Sequence, residues 1–381
     1  AGEPVLQLDT HFLHSGRPQR SMIAEMPAPQ RQQLVAAPSW LTQRQPTDIV
    51  LGLLAHPNIA SKANVIHQYD HEIRGATCVR PLVGAYGDGH GDGVVIAEQT
   101  EQFGFAIGIG VNPWYGILDP EAMALAAIDE AMRNVVCVGA DPRQAALLDN
   151  FSWGNPKRQT TLGELVAAVD GCCSGSLAFG APFVSGKDSL NNEYLGADGE
   201  RHSVPPTLVI TAVAHVPDAE NTVTSDLKKA GNVLLLVGNT HAEFGASHAS
   251  MVCDQPIEGT VPQFDPASPS RYATLHEAMR KGLIASAHDC TEGGLAVALA
   301  EMSIGGRLGI EMEPASDFHT QLFSESLGRI VIEVDFENAN LVASMFDACS
   351  RIGAVSNDQH VLFSDGSKLS IESMLSAWGA Q

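Results

Sequence analysis

The chain has 381 residues, 44% of them hydrophobic, and a formal net charge of −22. This length and composition suffice for one large domain or two, and they exclude a disordered, collagen-like or coiled-coil chain. No apolar run reaches the roughly 18 residues that a membrane span needs, and the N-terminal residues lack the apolar core of a secretory signal. The acidity argues against a nucleic-acid surface, although a phosphate can still bind locally through metal ions, backbone amides and helix N-termini.

Cysteine and histidine spacing gives no metal-binding motif. The seven cysteines form no C-x-x-C pair, and a scattered, odd set of this kind is typical of reduced thiols in a cytoplasmic protein. Among the fourteen histidines, His67 and His71 come nearest to a cluster. No third ligand stands near them, so we expect an ordinary surface or hydrogen-bonded role for both.

Prolines and glutamines set residues 1–46 apart from the rest of the chain. A strand-like VLQLD at residues 5–9 leads into this proline-rich stretch. We interpret residues 1–46 as the tail of a preceding domain followed by a linker, and the chain as a piece of a longer polypeptide.

Residues 47–220 are expected to form an N-terminal domain. DIVLGLLAHP predicts a short helix that ends before Pro57, and VVIA (94–97) and FAIGIGV (105–111) predict strands. Further along, APFVSG and TLVITAVAHV are apolar enough to predict buried strands. Pro217 marks the predicted end of this domain.

Two helices are predicted inside the N-terminal domain. Asp119 is the expected N-cap of a long helix, with Pro120 as its first residue and Gly139 as its stop signal. The second helix is expected to begin with Thr161-x-x-Glu164, which has the pattern of a capping box.

Residues 221–381 are expected to form a second domain. NVLLLVG and RIVIEV predict strands, and helices are predicted near residues 271–284, 293–304 and 338–351. This mixed order favours α+β layers over a doubly wound sheet. The predicted fold class is therefore an α/β domain followed by an α+β domain.

Asp92 lies in GAYGDGHGDGVVIA, a glycine-rich turn that leads into a strand. Glycines allow the backbone to approach a ligand closely, and a carboxylate at a strand edge can hold a hard cation. An acidic hairpin turn would have the same local sequence.

Glu130 and Asn134 stand four residues apart and project from the same side of the long helix. A carboxylate and an amide oxygen so placed, opposite the apolar stripe, suit Mg²⁺. A solvated polar face would show the same spacing.

HDCTEGG at residues 288–294 follows a small apolar strand. Thr291 can cap the next helix, whose glycine-rich start offers N–H groups and a positive dipole to an anion, while Asp289 can hold a metal. Phosphate binding and plain helix capping both fit this pattern.

FVSGKDSLNNE (183–193) reads as a strand ending in a polar turn with Gly186, Lys187 and Ser189. It is not a P-loop, because Ala181 stands where that motif requires a glycine. Asp149, in LLDNFSWGNP, follows a similar strand-to-turn pattern and could face the same cleft.

These segments together resemble one known family. The residues that carry the resemblance are, in chain order, NIASKANVIHQYDHEIRGATCVRPLVG, DPEAMALAAIDEAMRNVVCVGADP, LLDNFSWGNP, PFVSGKDSLNNE, AHDCTEGGLAVALAEM and LFSESLGRIVI. They are similar to the second half of phosphoribosylformylglycinamidine synthase. VLQLDTHFLHSGRPQR resembles the end of the preceding domain, and LSIESMLSAWGA resembles the C-terminal segment.

The resemblance implies a fold and a reaction. The family fold duplicates an aminoimidazole-ribonucleotide-synthetase-like unit, in which an N-terminal sheet domain pairs with its twin and a mixed α+β domain follows. The implied reaction of purine biosynthesis uses ATP and Mg²⁺ to activate the formamide oxygen of formylglycinamide ribonucleotide, and ammonia from a glutaminase gives the amidine. The chain resembles the second unit, and the catalytic histidines lie in the first.

The resemblance also assigns residues. Asp92, Glu130, Asn134 and Asp289 match Mg²⁺ ligands of an auxiliary ATP or ADP site, and Thr291 matches a nucleotide contact. In a separate group, Asp149 and Gly186 match nucleotide contacts and Ser189 matches a substrate contact of the face that this unit adds to the catalytic site.

Two departures stand against the family pattern. Lys187 replaces a metal-binding Asn of smaller members, so Lys187 could contact phosphate directly, or Asp188 could substitute as a ligand. Leu327 stands where the first unit has a substrate-binding Gln, which implies a vestigial substrate pocket.

Three hypotheses remain open. The chain is the C-terminal half of the synthetase, inactive without the first half, or a stand-alone relative such as thiamine-phosphate kinase, selenophosphate synthetase or aminoimidazole ribonucleotide synthetase, or a non-catalytic nucleotide-binding module. The expected partners are the first half and a glutaminase, with no nucleic acid and no membrane. Without the first half, the apolar sheet face is expected to form a homodimer.

Overall fold

The computed structural model of the chain describes residues 2–16, 18–29, 31, 35–72, 74–98 and 102–379. The strands up to residue 216 are β1 (Thr77–Val79), β2 (Leu82–Val83), β3 (Gly89–His90), β4 (Gly93–Ile96), β5 (Gly104–Val111), β6 (Ala145–Ser152), β7 (Phe183–Ser189), β8 (Glu193–Leu195), β9 (Arg201–Ser203) and β10 (Thr207–Val216). The helices of this part are α1 (Ser39–Thr42), α2 (Pro46–Leu54), α3 (Ala63–Ile66), α4 (Pro113–Leu118), α5 (Pro120–Cys137) and α6 (Gln159–Phe179).

Six of these strands form one sheet in the order β1-β4-β5-β10-β6-β7. All its pairs are antiparallel except β6 with β7, which is parallel. Helix α5 packs against one face, because the side of β5 that faces it carries almost no side chains. A Cβ added at Gly108 would lie 2.8 Å from the Cβ of Asn134, and one at Gly110 would lie 2.9 Å from the carbonyl carbon of Ala127.

The rest of the chain forms a second, seven-stranded sheet. Its strands are β11 (Val233–Val237), β12 (Ser286–Asp289), β13 (Gly309–Met312), β14 (Ile330–Val334), β15 (Cys349–Ser356), β16 (His360–Leu362) and β17 (Lys368–Ser370), in the spatial order β12-β14-β11-β15-β13-β16-β17. The helices are α7 (His248–Val252), α8 (Ser268–Arg280), α9 (Gly294–Gly306), α10 (Phe318–Phe323), α11 (Ala339–Ala343) and α12 (Ile371–Trp378). The central strands β11 and β14 are buried at every position.

Two hydrophobic clusters lie on opposite faces of this second sheet. Leu235 and Ile332 belong to the first cluster, which continues into α5, α6 and the six-stranded sheet. Leu234 and Val331 belong to the second, together with side chains of α2, α9 and α12. Burial on both faces explains why NVLLLVG and RIVIEV are continuous apolar runs and do not alternate.

Most of the predicted elements are confirmed, including the long helix. Ala122 donates its N–H to the Asp119 carboxylate at 3.1 Å, and Pro120 is the first helical residue. The helix ends at Cys137, just before Gly139 with φ +104°. Residues 5–9, by contrast, form no strand, because they have no partner strand in the described part of the chain.

The prediction of a capping box at Thr161 is wrong. Helix α6 begins at Gln159, so Thr161 lies inside it, and its hydroxyl accepts a hydrogen bond from Arg158 Nε at 3.3 Å. The predicted helix over residues 338–351 is also wrong in its second half. Helix α11 ends at Ala343, and β15 begins at Cys349 because it pairs with β11.

Strand β7 also differs from the prediction. APFVSG was expected as a buried strand and GKDS as a turn, but Phe183–Ser189 is one continuous strand with mostly exposed side chains. It lies at the edge of the sheet, and its parallel pairing with β6 extends to Ser152 opposite Ser189. Strand β10 is buried only at alternate positions.

One described helix, α6, is long and apolar enough to cross a membrane by length and composition alone. A single helix of this kind is weak evidence, since core helices of globular proteins meet the same criteria. Here the helix packs along α5, and an added Cβ at Gly175 would lie 2.7 Å from Ile128 Cδ1.

Candidate functional site

A pocket of about 160 Å³ opens where the two sheets meet. It is lined by the turn before β4, one side of α5, the end of β12, the start of α9 and a loop that follows α2. The lining residues are Asn58, Ile59, His90, Gly91, Asp92, Asn134, His288, Asp289, Thr291, Glu292, Gly294, Val297, Ala298 and Glu301.

Glu130 and Asn134 reach this region from α5. They are 7% and 8% exposed, because α5 is buried nearly all round, so they do not form a solvated polar face. Glu130 Oε2 accepts hydrogen bonds from Val111 N and Asn112 Nδ2, both at 2.9 Å. Asn134 Nδ2 donates to Ile109 O at 2.7 Å, which leaves Asn134 Oδ1 buried without a partner in the described structure.

Asp92 occupies the turn between β3 and β4. Its Oδ1 accepts from His288 Nδ1 at 2.6 Å and from Asp289 N at 3.2 Å. Its Oδ2 is buried and has no hydrogen-bond partner among the described residues. Asp92 therefore resembles Asn134: protein contacts hold one end of the side chain, and one oxygen stays free.

A chain of side chains behind Asp92 was not predicted from the sequence. His288 Nε2 lies 3.0 Å from Glu301 Oε2, and Glu301 Oε1 lies 3.1 Å from His90 Nδ1. Burial would raise the pKa of Glu301, but the two histidines outweigh it and lower that pKa to about 2. The available signal was Glu301 itself, a single charge within the apolar helix GLAVALAEM.

Asp289 and Thr291 lie at the other wall. The Thr291 hydroxyl donates to Asp289 Oδ2 and accepts from Arg133 Nη2 at 3.0 Å. Thr291 was expected to cap α9 with its side chain. It does not, because the N-cap residue is Gly293. Arg133 was not singled out either, although its guanidinium is fully buried and lies 3.5 Å from Asp289 Oδ2.

Negative charge accumulates in this pocket. Burial, with the charge of Asp92, raises the pKa of Asp289 to about 6. Burial also raises the pKa of Glu292 to about 7 and lifts the pKa of Glu130 well above its ordinary value, with the charges of Glu292 and Asp289 adding to the effect on Glu130. Burial and the neighbouring carboxylates therefore outweigh the charges of Arg133 and His288, which lower the pKa of Asp289.

The donor atoms fit a hard divalent cation. Ligand atoms of Asp92, His288 and Asp289 all lie within 4.8 Å of one another. Two buried oxygens, Asp92 Oδ2 and Asn134 Oδ1, add acceptor capacity that no described residue uses. Carboxylate and amide oxygens are the ligands that Mg²⁺ prefers.

Asp149, Gly186, Lys187 and Ser189 form a separate group on the β6–β7 pair. Asp149 stands opposite Gly186, and a Cβ added at Gly186 would lie 2.6 Å from Asp149 Cγ. Lys187 Nζ donates to the Ser189 hydroxyl. Three strands separate β7 from β4, or about 19 Å at 4.8 Å per strand.

Three remaining positions were named from the sequence. The rings of His67 and His71 lie 5.2 Å apart, and both residues are largely exposed. Neither belongs to a group of metal-ligating side chains in the described part of the chain. Leu327 is buried in the first hydrophobic cluster.

Family models match both parts of this architecture. Residues 88–216 match the N-terminal domain of AIR synthase related proteins, and residues 229–365 match the C-terminal domain. The two sheets and the pocket between them are thus an AIR-synthase-related unit.

Individual relatives within this class are more similar to the chain. The phosphoribosylformylglycinamidine synthase subunit PurL of Methanocaldococcus jannaschii is 34% identical over 317 residues, which cover 81% of this chain and 42% of that protein. The structure of T. maritima PurL complexed with FGAR has a TM-score of 0.64 at 18% identity and covers 88% of this chain and 54% of that one. T. maritima PurL complexed with ATP gives a TM-score of 0.60 at 16% identity, covering 88% and 53%.

The chain belongs to the PurL family of phosphoribosylformylglycinamidine synthase subunits. It spans less than half the length of the curated relative that it matches.

Proposed function

We propose that the chain binds a magnesium nucleotide, ATP or ADP, in the pocket between its two sheets. Asp92, Glu130, Asn134 and Asp289 are the proposed Mg²⁺ ligands, and Thr291 contacts the nucleotide. The observation that carries this proposal is the pair of buried oxygens of Asp92 and Asn134 without a partner among the described residues, which fit a cation in a pocket rich in carboxylates. A bound Mg²⁺ would neutralise the nucleotide phosphates.

We further infer that the chain is the C-terminal half of a synthetase of purine biosynthesis. That enzyme would use ATP and glutamine-derived ammonia to convert formylglycinamide ribonucleotide into its amidine. Binding of FGAR and of ATP by the T. maritima relatives supports this reaction. Family membership and the absence of disulfides among the described cysteines support a cytoplasmic location.

In this proposal the half-chain contributes a surface and no catalytic residue. Asp149 and Gly186 contact the nucleotide of the catalytic site, Ser189 contacts substrate, and Lys187 contacts a phosphate. Exposure of β7 at the sheet edge supports these roles, because the strand is open to a neighbouring unit. The chain alone is therefore expected to show no ammonia- and ATP-dependent amidine formation.

The proposed partners are the first half of the synthetase and a glutaminase. An apolar face on the six-stranded sheet, away from α5, supports the first of these. Phe105 and Ile109 of β5 are each 50% exposed, and Ile96 of the neighbouring strand β4 is also exposed. Without the first half, two copies of the chain would pair through this face.

Equilibrium dialysis with Mg-ADP tests the nucleotide site. We expect the wild-type chain to bind and Asp289→Ala to bind about 10-fold or more weakly, because a lost ligand removes both charge and geometry. The matched control is Asp170→Ala, an exposed carboxylate on α6, which should bind like the wild type. Equal binding by the wild type and Asp289→Ala would refute the ligand assignment.

A further inference from the structure

Glu325 is a buried carboxylate that lies outside the pocket but is bonded to its walls. It is 1% exposed and accepts four hydrogen bonds. Its Oε1 accepts from Gly293 N at 2.7 Å and from His248 N and Nδ1 at 2.9 and 3.1 Å. Its Oε2 accepts from the Tyr115 hydroxyl at 2.7 Å.

The contact with Gly293 sets the start of α9. Gly293 and Gly294 have φ values of +78° and +66°, a left-handed turn that side chains other than glycine rarely adopt. An added Cβ at Gly294 would overlap the carbonyl oxygen of Ser324. The turn therefore rests directly on residues 324–325, and it carries Thr291 and Glu292 into the pocket.

Glu325 reaches the pocket by a second route. His248 uses Nδ1 toward Glu325, and its Nε2 lies 3.0 Å from Asn58 Nδ2. Asn58 lines the pocket from the loop after α2. Two separate parts of the wall thus depend on one carboxylate.

Tyr115 connects Glu325 to the opposite wall. It belongs to α4, whose N-cap residue Asn112 donates to Glu130 Oε2 at 2.9 Å. A continuous path of contacts therefore runs from Glu130 on α5, one turn before the lining residue Asn134, through Asn112, Tyr115 and Glu325 to Gly293, which precedes the lining residue Gly294.

We propose that Glu325 is a positioning residue for nucleotide binding, which fixes the spacing between the α5 wall, with Glu130 and Asn134, and the Asp289–Gly294 wall. This inference rests on the proposed nucleotide site. Outer contacts of this kind orient ligands without touching the bound group. Glu325 thereby determines nucleotide affinity even though it does not line the pocket.

A purely structural carboxylate in the same domain provides the comparison. Glu333 is also fully buried and accepts four hydrogen bonds, from Lys228 N, Lys229 N, Asn232 Nδ2 and Ser286 Oγ. It does not line the pocket; three of its partners lie between residues 228 and 232, and Ser286 lies at the start of β12, the end away from the pocket. Replacing it should lower stability as much as replacing Glu325.

The experiment measures Mg-ADP affinity by calorimetric titration and, separately, the Tm of each variant without ligand. We expect Glu325→Ala to weaken binding about 10- to 100-fold, as outer contacts of ligands do, and Glu333→Ala to keep wild-type affinity at a similar loss of Tm. Glu325→Gln should recover most of the affinity, because its Oε1 can still accept from Gly293 N.

Tyr115→Phe keeps the ring and removes only the contact between the walls. It should weaken Mg-ADP binding by about 3- to 10-fold, the net value of one typical hydrogen bond, and it remains informative if Glu325→Ala does not fold. Wild-type affinity in Tyr115→Phe, or an equal loss of affinity in Glu333→Ala, would overturn the inference. No Mg-ADP binding by the wild type would instead refute the proposed nucleotide site.

Discussion

Asp92 and Asn134 each combine one satisfied polar atom with one buried oxygen that has no partner among the described residues. A buried acceptor without a hydrogen bond costs on the order of 1–3 kcal/mol, so two of them in one small pocket require an explanation. The proposed Mg²⁺ would supply one, because carboxylate and amide oxygens are the ligands it prefers.

Glu301 gives a pH-dependent prediction at the same site. Its pKa is lowered from 4.5 to about 2 by His288 and His90, so its contribution to stability is present above about pH 4.5 and is lost as the pH falls toward 2. A shift of this size corresponds to at most about 3 kcal/mol. We expect Glu301→Gln to lower the free energy of unfolding at pH 7 and to do so much less at pH 3.

Urea denaturation at the two pH values measures this difference. Glu337→Gln, at an exposed position, is the control and should leave the free energy of unfolding unchanged at both. A gap between wild type and Glu301→Gln that is the same at pH 3 and pH 7 would contradict the assigned ion contacts.

Sequence spacing could find some of these residues and not others. Glu130 and Asn134 are four residues apart on one helix, and Asp92 follows a glycine-rich turn, so local rules identify them. The contacts of Asp92 with Asp289 and of Tyr115 with Glu325 join residues 197 and 210 positions apart. Such pairs depend on how the two sheets pack, and no local sequence pattern predicts that packing.

The proline-rich N-terminal segment, interpreted as a tail and linker, contacts helices α5 and α6. Glu25 N donates to Gln159 O at 2.9 Å, and Arg31 pairs with Asp119 at 2.8 Å and Glu121 at 2.7 Å. Composition identifies a segment without regular structure, but it does not reveal whether that segment docks.

Gly163 allows this docking, because an added Cβ would overlap the Glu25 carbonyl oxygen. We expect Gly163→Ala to displace the segment from α6 at a cost of about 1–3 kcal/mol. Limited trypsin digestion should then cleave after Arg31 several-fold faster, since its ion pairs hold the segment in place.

Gly52→Ala on α2 is the matched control for this substitution. Its Cβ would lie 3.6 Å from Val252 Cβ, an ordinary contact, so it should stabilise the chain by about 0.5–1 kcal/mol and leave cleavage unchanged. Equal cleavage rates in wild type and Gly163→Ala would show that the segment does not depend on this contact.

Strand β7 was predicted as a strand but assigned the wrong environment. Its apolar start, Phe183 and Val184, suggested burial, and its GKDS sequence suggested a turn. Both the predicted burial and the predicted turn are wrong because β7 lies at the edge of the sheet. An edge strand forms backbone hydrogen bonds with one neighbour only, so its apolar start and its polar end can both be exposed. Strand order in the sheet is a property of the whole domain, so a local window could not provide it.

For the whole molecule, the order of predicted helices and strands was enough to predict the fold class. It was not enough to predict how the two sheets pack against each other. The α/β and α+β parts are both present, but one hydrophobic cluster runs through both of them. Helix α2 precedes the first sheet in the chain and nevertheless packs with α9 and α12 in the second cluster. The boundary at residue 220 stays a prediction.

The exposed sheet face leads to a prediction about association. Ile109 lies near the middle of β5 and is 50% exposed among apolar neighbours, so Ile109→Glu would place a charge at the centre of the proposed contact. We expect light scattering to show a dimer for the wild type and a monomer for Ile109→Glu at micromolar concentration. Leu177→Glu is the control, because Leu177 is 83% exposed on α6, in the helical layer behind the sheet, and should leave the dimer intact. A monomeric wild type would contradict pairing of this chain with itself, and a dimer lost only in Leu177→Glu would place the interface on the helices.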